Sequence, residues 1–321
     1  LDVNTLIKPL IDRSDYTPAL TELSHLCMIY TQRVIAELET PISHMHKYRS
    51  WIDQHLLSVD LRSLQILDNT AIEQRVKRLV DQVSQTNGAH LAVGIEAIFN
   101  NVQRIFIGEV EPLDVLLADD ILPNVYDAMD QCDVSRFIRR LSHSKPNLRI
   151  LEIGAGTGGS TANLLKLLTP GNRTLYKNYT FTDISSGFFV AAKDRFANYS
   201  NLEYATLDIS KDPSDQGFDG RKYDLILATN VIHATASLND SLSNVRKLLS
   251  PTGWFLLHEL TPTSKWVNYI FGTLAGWWYG DADGRSDEPY IGLERWEREL
   301  KTAGFRIPDA AVLDSDHPHQ L

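Results

Sequence analysis

The stretch Arg149-Ile150-Leu151-Glu152-Ile153-Gly154-Ala155-Gly156-Thr157-Gly158-Gly159 decides how this chain is read. An apolar strand runs into glycines and then into a helical pattern over Ser160–Leu168, the order in which a parallel sheet presents a ligand-binding turn at the carboxyl end of a strand. Glycines in such a turn permit positive φ and let the backbone approach a bound molecule closely. Gly154, Gly156 and Gly159 satisfy GxGxxG, so the spacing alone also admits a nicotinamide or flavin dinucleotide. Glu152 argues the other way. Its carboxylate, just before the first glycine, suits a cationic amino-acid ligand and would repel a pyrophosphate.

Outward from this turn, short apolar runs alternate with amphipathic helices: Leu148–Ile153, Tyr179–Thr182, Leu202–Leu207, Tyr223–Ala228 and Trp254–Leu257. That alternation predicts an α/β domain on a mostly parallel sheet. Upstream, from Thr17 to about Ile138, apolar positions recur at three and four, as in Leu20, Leu23, Leu26, Cys27, Tyr30 and Val34. Further helices are expected over His44–Leu57, Ala71–Val83, His90–Phe106 and Asp120–Asp130. The break at Ser144, Pro146 and Asn147 places a helical N-terminal subdomain over residues 1–145 and the α/β domain over 146–321.

Asp183 follows the second strand and Asp208 the third. A carboxylate at the first place can accept both ribose hydroxyls; one at the second can meet the exocyclic amine of an adenine while Ile184 and Ile209 pack on its faces. Alone, each acid reads as a helix N-cap or a solvated loop residue. Together they outline a nucleoside-shaped crevice. His233, in Asn230-Val231-Ile232-His233-Ala234-Thr235, lies past the fourth strand, and Glu259 closes the fifth, Trp254-Phe255-Leu256-Leu257-His258-Glu259. Both strand ends open on the ligand edge, so the two side chains can form a dyad. The carboxylate would fix the imidazole tautomer and leave the other ring nitrogen free to take a proton. His258 points to the opposite face by strand alternation and reads as structural. Glu259→Gln is expected to cost less than loss of His233.

The chain's 321 residues carry 41 Asp+Glu against 31 Lys+Arg, a net charge of −10, which argues against a nucleic-acid partner. Cys27 and Cys132 are its two cysteines, too few for a disulfide framework and without zinc-type spacing, so a reduced, cytoplasmic protein is expected. His44 and His46 would diverge by about 200° on a helix, and no metal site is expected. Asp2, Lys8, Asp12 and Arg13 interrupt the start of the chain as they would not a signal peptide. The longest uncharged runs, Leu225–Asn239 and Trp266–Gly280, fall short of the roughly 20 residues of a spanning helix, so no membrane is expected. A basic segment, Arg136, Arg139, Arg140, Lys145 and Arg149, reads as a solvated helix face or as a docking patch for an acidic carrier protein.

The strings Ile150–Gly159, Tyr179–Phe189, Tyr223–Thr235 and Phe271–Arg285 resemble class I S-adenosylmethionine-dependent methyltransferases, and more narrowly the C-methyltransferase domain of fungal highly reducing and hybrid polyketide synthases. The resemblance implies a Rossmann-like sheet with a helical N-terminal lid, S-adenosylmethionine as cofactor and S-adenosylhomocysteine as product. It implies that Glu152 meets the methionine amine, Asp183 the ribose and Asp208 the adenine. Gly154, Ala155, Gly156, Ile184, Ile209 and Asn230 would complete the cofactor site, with Tyr126 covering its methionine end. His233 would abstract the α-proton of a β-ketoacyl chain carried on the phosphopantetheine arm of an acyl carrier protein, and the enolate would be methylated on carbon. The aromatic run Trp266–Tyr279 would roof the acyl pocket, with Trp278 and Tyr279 as substrate contacts. A small-molecule O-methyltransferase using the same base is the alternative. Class I sheets finish with an antiparallel hairpin, yet only one candidate strand, near Ala310–Leu313, follows the helix Leu293–Ala303. The last strand is therefore expected to be missing, and with Leu1 in place of methionine the chain is expected to be a fragment of a larger multidomain protein.

Overall fold

A central strand, β1 (Leu148–Ile153), is buried on both faces because Ile150 and Leu151 point opposite ways and each meets a separate apolar layer. It is joined by β2 (Tyr176–Asp183), β3 (Leu202–Thr206), β4 (Tyr223–Thr229) and β5 (Leu249–His258). The spatial order is β3-β2-β1-β4-β5, and every ladder is parallel. The order reverses between β1 and β4, and at that switch point the carboxyl ends of neighbouring strands part to leave a ligand crevice. The computed structural model describes residues 5–130, 132–306 and 308–321; Leu1 lies outside them.

Five long helices, α1 (Thr17–Val34), α2 (Ser43–Ser58), α3 (Asn69–Val83), α4 (Ala89–Phe106) and α5 (Ile121–Met129), build the helical unit ahead of the sheet. Its core includes Leu23, Ile52, Ile95 and Val125. The packing crosses the sequence break at residue 145 in both directions. Helix α6 (Ser135–Ser144) puts Phe137, Ile138 and Leu141 into the sheet core beside Leu164 and Leu165 of α7 (Gly159–Leu168). Conversely, Leu260, Trp266, Tyr269, Phe271 and Trp277 join the helical core, so the segment after β5 returns to roof the sheet edge.

One expectation fails. Ala310–Leu313 forms no strand, and β5 pairs with β4 alone among the described residues. Polar anchors hold this segment in place of a ladder: Asp314 makes a buried ion pair with Arg13 at 2.6 Å, and the Leu321 N–H donates to Asp314 Oδ1 at 3.1 Å. Leu321 is itself buried.

Candidate active site

The turn after β1 is held open from both sides. Gly154 has φ +63°, and a side chain there would collide with Val231. Gly156, at φ +53°, faces open space, which leaves its backbone accessible to a ligand. Glu152 is buried, and its Oε2 accepts from Thr161 Oγ1 and from the Tyr179 hydroxyl, both at 2.5 Å. Burial pushes its carboxyl up to about 7; the bonds from Thr161 and Tyr179 oppose the shift, and Asp130 and Asp183 add to it. A carboxyl raised above its ordinary value keeps its proton longer in the folded state, so stability falls as pH rises from about 4.5 through 7. Glu152→Gln removes that dependence. Thermal unfolding should show the variant gaining on the wild type between pH 5 and pH 8; a constant gap would mean that Glu152 titrates as a solvated carboxyl does.

Asp183, last residue of β2, is also buried. Its Oδ2 accepts from the Gly156 N–H at 3.0 Å and its Oδ1 from the Ser185 N–H at 2.8 Å, so the one carboxylate clamps the glycine turn to the end of β2. Asp208 is engaged locally: Oδ1 accepts from the Ser210 N–H at 3.1 Å, and Lys211 approaches Oδ2 at 2.9 Å. Burial works against its ionisation, but Ser210 and Lys211 hold its carboxyl below the ordinary value. Of the two isoleucines, Ile184 is 66% exposed and offers a bare apolar face, whereas Ile209 is packed into the sheet core. Ala155 is tied to β2 by its N–H to the Thr182 carbonyl at 2.9 Å. Asn230 sits at φ +55° beyond β4, its N–H donating to the His258 carbonyl at 2.8 Å, and its buried Oδ1 has no partner.

His233 and Glu259 do meet. Both side chains are 4% exposed, and His233 Nδ1 bonds Glu259 Oε2. The other carboxylate oxygen accepts from the backbone N–H groups of Val231 (3.2 Å), Ile232 (2.7 Å) and His233 (3.4 Å). Glu259 therefore caps the short turn that carries the histidine and fixes its ring at once. With Nδ1–H donating to the carboxylate, Nε2 carries the lone pair.

The aromatic run presents a different ring from those expected. Trp278 is buried in the helical core, its Nε1 donating to the Gly272 carbonyl at 2.8 Å, and Tyr279 is 59% exposed. It is Trp277 whose ring stands edge-on to His233 at 5.4 Å. Trp277 stacks on Phe271 at 5.4 Å, and Phe271 meets Tyr126 at 5.5 Å. Burial, with Asp183 adding to it, pushes the Tyr126 hydroxyl up to about 12, and the rings of Tyr126, Phe271 and Trp277 form a continuous aromatic wall that ends at His233. Nothing in the doublet Trp277-Trp278 tells the two apart; the 3-10 turn over Ala275–Asp283 does.

Arg285 was not singled out by the sequence reading. It is 3% exposed and donates to the carbonyls of His233, Thr235 and Pro289 and to Asp283 Oδ1. Asp283 Oδ2 in turn accepts from the Leu238 N–H at 3.0 Å. The histidine turn is thus gripped from behind by one guanidinium. Its signal was a charged residue at the end of an apolar, glycine-broken segment, too common a pattern to stand out.

His258 pairs with Asp130 at 3.3 Å, away from the dyad. Burial lowers its affinity for protons, but Asp130, with Glu259 and Asp314 adding to it, offsets this and the pKa is raised. In the basic segment, Lys145 and Arg149 both pair with Asp224 (2.7 and 3.1 Å), while Arg136, Arg139 and Arg140 are exposed on α6. No group of three or more His, Cys, Asp or Glu residues fit to hold a metal ion occurs among the described residues.

Sheet order, glycine turn and strand-end acids define a class I methyltransferase. A family model described as a methyltransferase domain matches residues 151–255. The solved structure of the trans-methyltransferase CalH in complex with SAH is 37% identical, with a TM-score of 0.92 over 99% of this chain and 92% of that one. The CurJ carbon methyltransferase is 28% identical, with a TM-score of 0.78 over 95% and 89%. Among curated proteins, the highly reducing polyketide synthase gloL of Glarea lozoyensis is 42% identical over 331 residues, covering 100% of this chain and 13% of the relative. The highly reducing polyketide synthase pspA of Penicillium soppii is 42% identical over 318 residues, covering 95% and 12%. The chain belongs to the C-methyltransferase family of polyketide synthases, and it spans about 13% of the length of the curated synthases it matches.

Proposed function

We propose that this domain transfers a methyl group from S-adenosylmethionine to the α-carbon of a β-ketoacyl chain held on the phosphopantetheine arm of an acyl carrier protein. The observation that carries the reading is the pairing of His233 Nδ1 with a carboxylate already held by three backbone N–H groups. It leaves Nε2 as a fixed, water-poor acceptor, as a base for a carbon acid requires. The α-carbon between two carbonyls is acidic enough for an imidazole, and no metal is needed.

The residues present fit the cofactor. Asn230 Oδ1 is a buried acceptor without a partner, suited to the ammonium of the methionine part. Asp130 and Asp183 lie near enough to Glu152 to raise its pKa, and such a group of carboxyls favours a ligand with positive centres. In this reading Asp183 takes the ribose, Ile184 covers one adenine face and Gly156 allows close backbone approach. S-adenosylmethionine, when bound, supplies an electrophilic methyl on sulfur. Tyr126, Phe271 and Trp277 keep water from the carbanion. In this reading the helical unit lids the acyl chain, the exposed arginines of α6 face the acidic carrier, and the enzyme works in the cytoplasm as part of a larger synthase or beside one. No helix of the described residues is long and apolar enough to cross a membrane.

Incubation with a β-ketoacyl pantetheine thioester and S-adenosylmethionine should give one methyl on the α-carbon, located by NMR. Methyl on oxygen instead would favour the small-molecule O-methyltransferase, and turnover of neither kind would overturn both.

A further inference from the structure

Proton removal by His233 leaves a negative charge on a carbonyl oxygen of the substrate, and the dyad offers nothing to receive it. A buried amide nearby does. Asn268, in α8 (Lys265–Phe271), has no solvent exposure. Its side-chain oxygen accepts from Trp277 Nε1. An indole N–H can only donate, so the atom facing it is the oxygen and the amide orientation is fixed. That leaves Nδ2 buried and without a partner, a condition that costs about 1–3 kcal/mol and that native interiors avoid unless the group is used.

The helix shows which way the amide faces. Tyr269 turns toward α1 and α2, its hydroxyl against Thr31 and its ring beside Tyr48. Ile270 turns toward Gly94 of α4. Asn268 and Phe271, at i and i+3 on a common face, both turn to Trp277, whose ring stands against His233. The orphan donor therefore lies one side chain from the base, on the aromatic wall.

We propose that Asn268 Nδ2 donates a hydrogen bond to the carbonyl oxygen on which the enolate charge develops. In the step it assists, His233 Nε2 takes the proton, the C–H electron pair forms the enolate C=C bond, and the carbonyl π pair moves onto the oxygen facing Asn268. When the C=C pair then bonds the α-carbon to the methyl, the methyl–sulfur bond breaks with its pair left on sulfur, the oxygen pair returns and the carbonyl re-forms. The imidazolium afterwards gives its proton to water. The inference rests on the proposed carbon methylation, and it adds a substrate-contacting residue to it.

The test is Asn268→Asp, which keeps an oxygen for Trp277 Nε1 and removes the amide donor. Exchange of the α-protons of a β-ketoacyl pantetheine thioester into D2O is followed by NMR without cofactor at pH 8, with background enolisation subtracted, and S-adenosylhomocysteine affinity is read by calorimetry. Losing one such donor typically costs about 10²–10³-fold. The expected result is a loss of that size in exchange, with affinity within about threefold of wild type. Exchange within about tenfold of wild type overturns the role of Asn268 while leaving carbon methylation standing. An equal fall in cofactor affinity also overturns it, since the amide would then be holding the fold. Wild-type protein that catalyses no exchange overturns the inference together with the reading beneath it.

Discussion

His233→Ala is expected to lower methyl transfer by about 10²–10⁴-fold, the usual worth of a positioned general base, while S-adenosylhomocysteine binds nearly as before. The ring pairs with Glu259 and stands against Trp277, neither of them among the residues expected to hold the cofactor, so its removal should leave cofactor binding in place. Single-turnover methylation and calorimetry check the two halves separately. A variant retaining more than about a tenth of the wild-type rate would be too active for this role, and His258 and Tyr126 would then be examined first. The geometry also changes what Glu259→Gln should do. The sequence alone suggests a milder loss than that of the histidine. In the folded protein Glu259 Oε1 is committed to three backbone N–H groups, so a glutamine keeps its oxygen there and turns its amide toward Nδ1. That forces the proton onto Nε2 and removes the lone pair needed for proton abstraction. The loss should therefore approach that of the alanine variant.

The second large effect is expected at the support behind the histidine turn. Arg285→Met removes the guanidinium that holds three carbonyls and Asp283, leaving the carbonyls without this donor and Asp283 with only the Leu238 N–H and Arg295. Breaking a buried pair from one side costs about 3–5 kcal/mol, with the lower end expected here because Arg295 still reaches Asp283 at 3.6 Å. Urea denaturation measures it. Adding Asp283→Asn should recover part of the loss, since the stranded charge goes with it; a single-variant loss below about 1 kcal/mol would show that the loop stands without the clamp. Methylation should fall as well, because the grip is on the carbonyls of His233 and Thr235.

The strand, glycine turn and helix from Leu148 to Leu168 were legible because their requirements are local. Apolar alternation on two faces, positive φ at Gly154 and Gly156, and acids at strand ends need no knowledge of distant residues. The dyad was legible for a topological reason: the ends of β4 and β5 must share the ligand edge of a parallel sheet. Less of the aromatic segment could be read, since composition indicates that a tryptophan is buried but not against what.

The sequence by itself thus determined the α/β class and the carboxylate-flanked glycine turn, and it brought His233 and Glu259 to one edge of the sheet, all of which follow from backbone geometry over short spans or from strand order. Only the tertiary structure decided that Trp277 rather than Trp278 meets His233, that Arg285 grips the histidine turn, that α6 packs with the sheet, and that Ala310–Leu313 is held through the Arg13–Asp314 pair instead of a ladder. Each of these is a choice among partners far apart in the chain, and such choices are made by close packing and by the need to pair buried polar groups, which no local pattern records.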